Sequence, residues 1–548
     1  MSPAARRALA GAAGGVVSAA ALIGVVTLFS RLFGFLRQVV FTNAVDVSCL
    51  NTAYTTANAM PRIVFEIVAG GALVASVVPV LAGPVARGDT ERVRQTASAL
   101  LMWTVVALVP VALAGALLAG PLIGLLLGEG GGCADQRSLV VDVATRMLVV
   151  FTVQIPLLGI CVVLTGILQA HHRFLAPAFA PLVSSLVIIG AYFAYAAMAG
   201  DDRGDISALT RSQELVLSVG TTLGAVALAL AQVPSTARLR LGLRPTLRFP
   251  EGVARRVVLL SSAALATVVA QQLVTAVVIR LANDNGDAGA VGVYTLAWTV
   301  YLLPWAVLAV PLATSAFPRL VARHDAGDSE GYAALTASVS RGVVVVSSLA
   351  AAFLVAAAEP VARVLGFDLT QASDVEALAS SIAAFAPALV GYGLLAHLTR
   401  SLYARGEGHA ATVAVVAGWL VVAATSVWWA RAVVSAHVVP ALGLAMTAGM
   451  TVSGLLLLVA VRRSAGPATT AGFVRTLAAS SFAAVIAVLV GRAIVALADT
   501  GDSAWSAMVL TGVVGLVVLG LGIAVLAVLD RDDLVRLLRP VLDKVRRA

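Results

Sequence analysis

The chain has 548 residues, 60% of them hydrophobic and only 12% charged, with a mean hydropathy of +0.97. A soluble domain carries about 25% charged residues, so this composition excludes a soluble enzyme and describes an all-α polytopic membrane protein. The pI near 10.1 does not mark a nucleic-acid binder, because the basic residues lie in small groups between apolar runs rather than on one soluble face.

Taken in order, the N-terminus places Arg6 and Arg7 before an apolar run that continues to Phe41 without a small-residue cleavage site, so we read a retained first span rather than a signal peptide. Apolar runs of the length that crosses a bilayer, about 20 residues, fall near 16–41, 51–82, 97–119, 141–169, 176–199, 213–233, 257–282, 290–317, 337–357, 377–399, 410–430, 438–461, 474–497 and 504–528, fourteen in all. When the even-numbered connections and both tails are assigned to the cytoplasm, that side holds 26 of the 37 basic residues and the opposite side seven. This is the positive-inside pattern, and it predicts both termini inside. The tail after Asp530 alternates Leu and Val with Arg and Asp, as an amphipathic helix lying on the inner leaflet would.

The sequence also repeats itself. Pro79-Val80-Leu81 leads to Gly88-Asp89-Thr90-Glu91, and Pro318-Arg319-Leu320 leads to Gly327-Asp328-Ser329-Glu330 with the same spacing. Leu164, Thr165, Leu168 and Ala170 are matched by Leu398, Thr399, Leu402 and Ala404. Offsets of 239 and 234 residues cover six spans, so the two halves insert in parallel orientation. The expected organisation is an N-lobe over 1–234 (six spans), a C-lobe over 235–465 (six spans), spans thirteen and fourteen over 466–530, and a cytoplasmic amphipathic tail over 531–548. Two lobes about a midplane cavity would support alternating access.

The stretch from Ser30 to Leu81 concentrates the unusual residues. Arg31, Arg37, Arg62 and Glu66 lie in its two spans, where charge is expensive and marks a functional site by default. Arg31 and Arg37 are six positions apart, about 120° around a helix; the alternative is that they snorkel to the interface. Arg62 and Glu66 are spaced for an i, i+4 pair, and the alternative is a neutralised structural pair. Pro61 breaks the helix before them in this reading. Pro61, Gly70, Gly71, Pro79 and, in span eight, Pro304 are the candidate hinges. Several arginines with one glutamate suit a large anionic head group, since guanidinium binds phosphate oxygens in bidentate fashion. Gln271 and Gln272 inside span seven are candidate cavity lining, or helix–helix glue. Arg280, near Asn283, Asp284 and Asp287, reads as interfacial. Cys161 reads as a packing residue, and the spacing of Cys49 and Cys133 neither requires nor forbids a disulfide between outer connections. No metal-ligand spacing, catalytic set or cofactor motif is present. The glycine run Gly128–Gly132 has no basic neighbour and is not read as a phosphate loop.

The pattern S-R-x-x-G-F-x-R at Ser30, Arg31, Gly34, Phe35 and Arg37, with Pro61, Gly71-Ala72 and Pro79, resembles the MurJ (MviN) family. The resemblance continues through Leu164–Pro181 and Tyr403-Ala404-Arg405 and covers roughly residues 20–465. It implies a flippase of lipid-linked peptidoglycan precursor, lipid II, in the multidrug/oligosaccharidyl-lipid/polysaccharide exporter superfamily. It also implies fourteen helices in two lobes around a central cavity, with the last two forming a groove for the lipid tail. Ser30, Arg31 and Arg37 match residues that the resemblance places on the pyrophosphate–sugar head group. The chain departs from the family at Thr52, Arg62, Phe65-Glu66, Gly70 and Thr299, where many members carry other, often charged, residues. The expectation is therefore a bacterial plasma-membrane transporter and not an enzyme, without cofactor, in a divergent branch. Its expected partners are a polyprenyl-linked glycan, membrane lipids and cell-wall synthesis or division proteins, and no nucleic acid. The rival expectations are a flippase for another polyprenyl-linked glycan, an exporter of the same superfamily, and a transport-inactive scaffold for cell-wall synthesis.

Overall fold

With 60% hydrophobic residues and few charges, the backbone satisfies its own polar groups in helices, the economical solution in lipid. The structure is a computed structural model that describes residues 25–366, 372–498 and 503–529, and it contains no strand among them. Arg6, Arg7 and the predicted amphipathic tail lie outside the described residues. Twelve described helices are long and apolar enough to cross a membrane, and the bent pair Ser373–Phe385 and Ala388–Ala404, at 44°, makes a thirteenth. The remaining predicted crossing, 51–82, is a broken one: helix Cys49–Phe65, a π-helical turn Glu66–Gly70, then helix Gly71–Ala86. The chain is thus a multi-pass all-helical protein, and its count reaches fourteen when the bent and the broken crossing are each counted once.

The duplication read from short motifs extends through the elements themselves. Helix Thr90–Leu117 and helix Ser329–Ala356 both have 28 residues, and both are capped by an aspartate of nearly identical geometry. Asp89 (φ −78, ψ 77) accepts from the Arg92 amide and Asp328 (φ −77, ψ 75) from the Gly331 amide, which satisfies a free N–H of the first turn. Short helices Ala119–Leu127 and Ala358–Leu365 follow. The pair Arg137–Phe151 and Gln154–Ala170 is then matched by Ala372–Phe385 and Ala388–Ala404. A second π-helical turn, Trp305–Ala309, interrupts Ala290–Pro304 and Val310–Asp325 at the position that Glu66–Gly70 holds in the first half.

The chain divides into two compact units. The first takes in residues up to Val45, Ala53–Leu125 and Ser138–Val268. Its core sets Val77 and Leu81 against Val93, Ala97, Val163 and Ile167. The connection after residue 237 is strapped along helix Thr90–Leu117: the Trp103 indole donates to the Leu247 carbonyl oxygen at 2.9 Å, and the Arg244 amide donates to Ser98 Oγ at 3.0 Å. The second unit takes in Asp46–Thr52, Leu126–Arg137 and the chain from Val269. Helices Gly408–Ala432 and Val438–Ala465 approach closely there because Gly418 and Gly449 face each other's backbone, small-residue packing that lipid-embedded helices favour. The last two spans, Phe473–Leu497 and Ala504–Leu529, pack on helix Ser329–Ala356 through Gly491 and Gly522.

Two short first-half segments belong to this second unit. Cys49 and Cys133 are joined as a disulfide, with Cα atoms 5.7 Å apart. The glycine run beside Cys133 is a docking device: the Glu129 amide donates to Asp284 Oδ1 at 2.7 Å and the Gly132 amide to the Gly286 carbonyl oxygen at 2.9 Å. A Cβ at Gly132 would lie 2.3 Å from the Ala288 nitrogen, so only glycine permits this approach. Thr52, one of the positions that depart from the family, is buried and accepts the Gly289 amide at 2.9 Å.

Candidate functional site

The site is built from the first span, Val25–Val45, and the broken helix Cys49–Phe65 with its π-turn, the two elements that carry the intramembrane charges. The break does not fall where proline suggested. Helix Cys49–Phe65 passes through Pro61 without interruption, and the extra residue of the π-turn enters at Glu66–Gly70. Proline removes one N–H but leaves the helical path open when its neighbours accommodate it. Gly70 and Gly71 sit at the junction where the α-helix resumes, whereas Pro79 lies inside the continuous helix Gly71–Ala86, so no break marks a hinge there. Pro304 closes its α-helix immediately before the second-half π-turn.

Arg37, Arg62 and Glu66 come together. Arg37 and Arg62 lie within electrostatic reach of each other, and Arg62 within reach of Glu66. The expected Arg62–Glu66 ion pair does not form. The α-helix ends at Phe65, and the wider turn that begins at Glu66 shifts the angular offset on which an i, i+4 pair depends. Arg62 is accessible although protein encloses it, the combination that a cavity wall produces. Among the described residues, Arg31, Arg37 and Arg62 make no hydrogen bond or ion pair with a protein group. An arginine at the centre of a span costs about 3 kcal/mol, so three without protein partners constitute a demand for water or an anion.

Beneath Arg37 lies a tyrosine cluster that sequence reasoning missed. Tyr54 and Tyr192 share a hydrogen bond of 2.8 Å, and Tyr54 also bonds Thr221 Oγ1 at 2.6 Å, both rings being buried against Phe41. Arg37 is close enough to act electrostatically on both hydroxyls. The signal available in sequence was Tyr54 itself, two helical turns before Arg62 and so on the same face.

The other candidates are placed differently. Ser30 is buried and donates to the Ala178 carbonyl oxygen at 2.6 Å, so its hydroxyl ties the first span to helix Leu175–Ala199. Arg31 is exposed on the same span and joins none of the contacts around Arg37. Gln271 and Gln272 are half-buried on helix Val253–Asn285, in the second unit, and their amides make no hydrogen bond among the described residues. Arg280 pairs with Asp284 at 3.8 Å. Cys161 is buried and accepts from Gln232 Nε2 at 3.4 Å. Among the described residues no group of His, Cys, Asp and Glu has the geometry of a metal site.

Comparison with known proteins converges on one family. The family model described as lipid II flippase MurJ matches residues 42–514. A probable lipid II flippase MurJ of Synechocystis is 32% identical over 231 residues, 41% of this chain and 40% of that one. The corresponding Rhizobium meliloti protein is 28% identical over 33% of each chain, so the matched segments span well under half of these curated relatives. A lipid II flippase MurJ of Burkholderia cenocepacia is 25% identical over 70% of this chain and 72% of its own. Among solved structures, a lipid II flippase MurJ in an inward closed conformation superposes with a TM-score of 0.72 at 17% identity, covering 93% of this chain and 99% of that one. An inward-facing multidrug resistance transporter of the MATE family superposes with a TM-score of 0.67 at 13% identity, covering 82% and 99%. The structures share the fold, and with the family model matching most of its length, this chain belongs to the lipid II flippase MurJ family.

Proposed function

We propose that the protein moves lipid II, or a closely related polyprenyl-linked glycan, from the inner to the outer leaflet of a bacterial plasma membrane by alternating access. The observation that carries this reading is the set of arginines in the first two spans, Arg31, Arg37 and Arg62, that make no hydrogen bond or ion pair with the protein among the described residues. A pyrophosphate supplies the bidentate acceptors that guanidinium groups match. Arg37 and Arg62 take the pyrophosphate, Glu66 limits the net positive charge so that the anion is also released, and Arg31 makes the first contact from its exposed position. Ser30 acts by fixing the first span. Gln271 and Gln272 offer unpaired amides to polar parts of the head group.

The lobes assigned to 1–234 and 235–465 each contain a π-turn, and these two turns, with Gly70, Gly71 and Pro304 at their edges, absorb the bending that access to alternate sides requires. The polyprenyl tail stays in lipid beside spans thirteen and fourteen. No bond is made or broken, so no catalytic group is needed. Both termini face the cytoplasm in this reading, where cell-wall synthesis and division proteins meet the transporter. Complementation of a strain depleted of its lipid II flippase tests it. Rescue by the wild type and loss of rescue by Arg37→Ala/Arg62→Ala, at equal membrane abundance, is the expected result. Equal rescue by both overturns the site, and no rescue by the wild type overturns the function.

A further inference from the structure

The second unit carries a cluster of aromatic rings to which the reading above gives no task. Tyr294 and Trp298 are stacked with an interplanar angle of 10°, and Trp305 packs on Tyr392 with centroids 4.8 Å apart. Phe385 and Tyr301, both buried, form the floor: Tyr301 lies 5.3 Å from Trp298, 5.7 Å from Phe385 and 5.9 Å from Tyr392. Tyr294, Trp298, Trp305 and Tyr392 each keep part of their surface accessible, and Tyr294 and Tyr392 do so while enclosed by protein.

Two bland explanations fail on position and on hydrogen bonding. Aromatic belts occupy the ends of spans, as exposed Trp428 does near the end of helix Gly408–Ala432. Trp298 and Trp305 lie about 12 and 22 Å along their span from Ala290, at the helical rise of about 1.5 Å per residue. Core packing seldom leaves polar groups unmatched, since each buried one costs about 1–3 kcal/mol. The Tyr301 hydroxyl is one of eight buried side-chain atoms without a partner among the described residues and the one set in a ring cluster, and it lies within electrostatic reach of Tyr294 and Tyr392. The hydroxyls of Tyr294 and Tyr392 and the Trp298 indole N–H also make no hydrogen bond among the described residues. Flat apolar rings with a few converging, unmatched polar groups describe a ligand surface.

The chemistry of that surface selects its ligand. It holds no positive charge, so it does not select a phosphate, and although aromatic faces attract cations, a cation would leave the Trp298 indole N–H donor unmatched. A pyranose ring presents a face of C–H bonds, which carry partial positive charge and lie favourably on the negative face of an aromatic ring. Its hydroxyl and acetamido groups around the rim need donors and acceptors of the kind that Tyr and Trp supply. The repeat adds an independent argument: at the offset of 239 residues, Tyr301 and Trp305 stand where the first half has Arg62 and Glu66.

We infer that Trp298, with Tyr294, Tyr301, Trp305 and Tyr392, forms a saccharide-binding platform for the sugar of the lipid-linked glycan. This inference rests on the function proposed above. The test is equilibrium binding to the full-length protein in nanodiscs, with lipid II and with undecaprenyl pyrophosphate, which shares the phosphates and tail but lacks the sugars. The wild type is expected to prefer lipid II by about tenfold, the scale of one good stacking contact. Trp298→Leu should abolish that preference while leaving the sugar-free lipid bound as before, which also reports an intact fold. Trp298→Phe should keep most of it. Equal wild-type affinities for the two lipids overturn the platform but leave the flippase reading standing. So does a Trp298→Leu variant that weakens both lipids alike. A wild type that binds neither lipid overturns the proposed function, and the platform with it.

Discussion

Two broken helices, one in each half of the chain, share their geometry and differ in their chemistry. The π-turns Glu66–Gly70 and Trp305–Ala309 begin at equivalent positions of the repeat, each followed by a 16-residue helix, Gly71–Ala86 and Val310–Asp325. Before and at the turn, the first half places Arg62 and Glu66, and the second half places Tyr301 and Trp305. Duplication thus preserved the π-turn and left the side chains before and at it, Arg62 and Glu66 against Tyr301 and Trp305, free to diverge. Bending depends on backbone geometry, which many side chains tolerate, whereas recognition depends on the side chains alone.

The largest expected effect separates these two faces. Arg62→Gln removes a cation that has no protein partner among the described residues, so it should cost the cargo's anion its contact without damaging the fold. We expect loss of complementation of at least about a hundredfold in plating, in line with the 2–3 kcal/mol that a charge-assisted hydrogen bond to a buried anion contributes. Tyr301→Phe, at the equivalent position, deletes one hydroxyl and should reduce plating by only a few fold. If the two variants are equally harmful, the halves do not divide the work as their chemistry suggests.

A second contrast concerns covalent support. The Cys49–Cys133 disulfide closes a separation of 84 residues, while the position equivalent to Cys49 in the second half is Ala288. Replacing both cysteines by serine should lower stability by about 3 kcal/mol, seen as a lower thermal midpoint in detergent. Adding a thiol reductant to the wild type should lower the midpoint comparably and leave the double variant unmoved. A wild type indifferent to reductant would mean that the docked glycine run alone holds these segments in place.

The first half also has an ionic clasp that the second lacks. Glu214 is buried and accepts from Arg146 Nε at 3.0 Å and Nη2 at 2.8 Å, and it also pairs with Arg211. Helix Val438–Ala465, the second-half counterpart of the helix Arg211–Leu230 that carries Glu214, has no acidic residue. Both arginines are about half exposed and can turn to water once the carboxylate is gone. Glu214→Gln should therefore cost about 2 kcal/mol, less than the loss of a fully buried pair would. A change below about 0.5 kcal/mol in thermal unfolding would reclassify the clasp as a solvated surface pair.

These contrasts also mark what could be read in advance. The spans and the repeated order of elements were legible because apolar length and short capping motifs such as Gly-Asp-Thr-Glu and Gly-Asp-Ser-Glu are local properties. Arg37 and Arg62 stood out because charge is rare in a span. The π-turns were not legible: EIVAG and WAVLA share only their central valine, and Pro61, the obvious breaker, lies five residues before the start of the first turn. That misplacement carried over to the Arg62–Glu66 pair, whose spacing was correct for an α-helix that does not continue. The disulfide and the aromatic cluster depend on residues far apart in sequence, Tyr294 and Tyr392 among them, and only packing brings these together.

The smallest expected effect tests how faithfully the duplication was kept. Asp89 and Asp328 cap equivalent helices with the same backbone angles, so Asp89→Ala and Asp328→Ala should each cost about 1 kcal/mol. The glycines before them match as well, Gly88 at φ +70 and Gly327 at φ +71, each with open space where a Cβ would go. Alanine there meets only backbone strain, about 1–2 kcal/mol at either site. One local difference remains: Asp328 also accepts from Arg323 Nη1 at 3.0 Å, with both side chains nearly half exposed. Solvent screening limits such a pair to about 0.5 kcal/mol, so the loss at Asp328 should exceed that at Asp89 by no more than this amount. Chemical denaturation of the two variants in the same detergent measures the difference directly. A gap above about 1 kcal/mol would show that equal backbone geometry hides unequal support, and that the halves have diverged in stability as well as in the side chains at their π-turns.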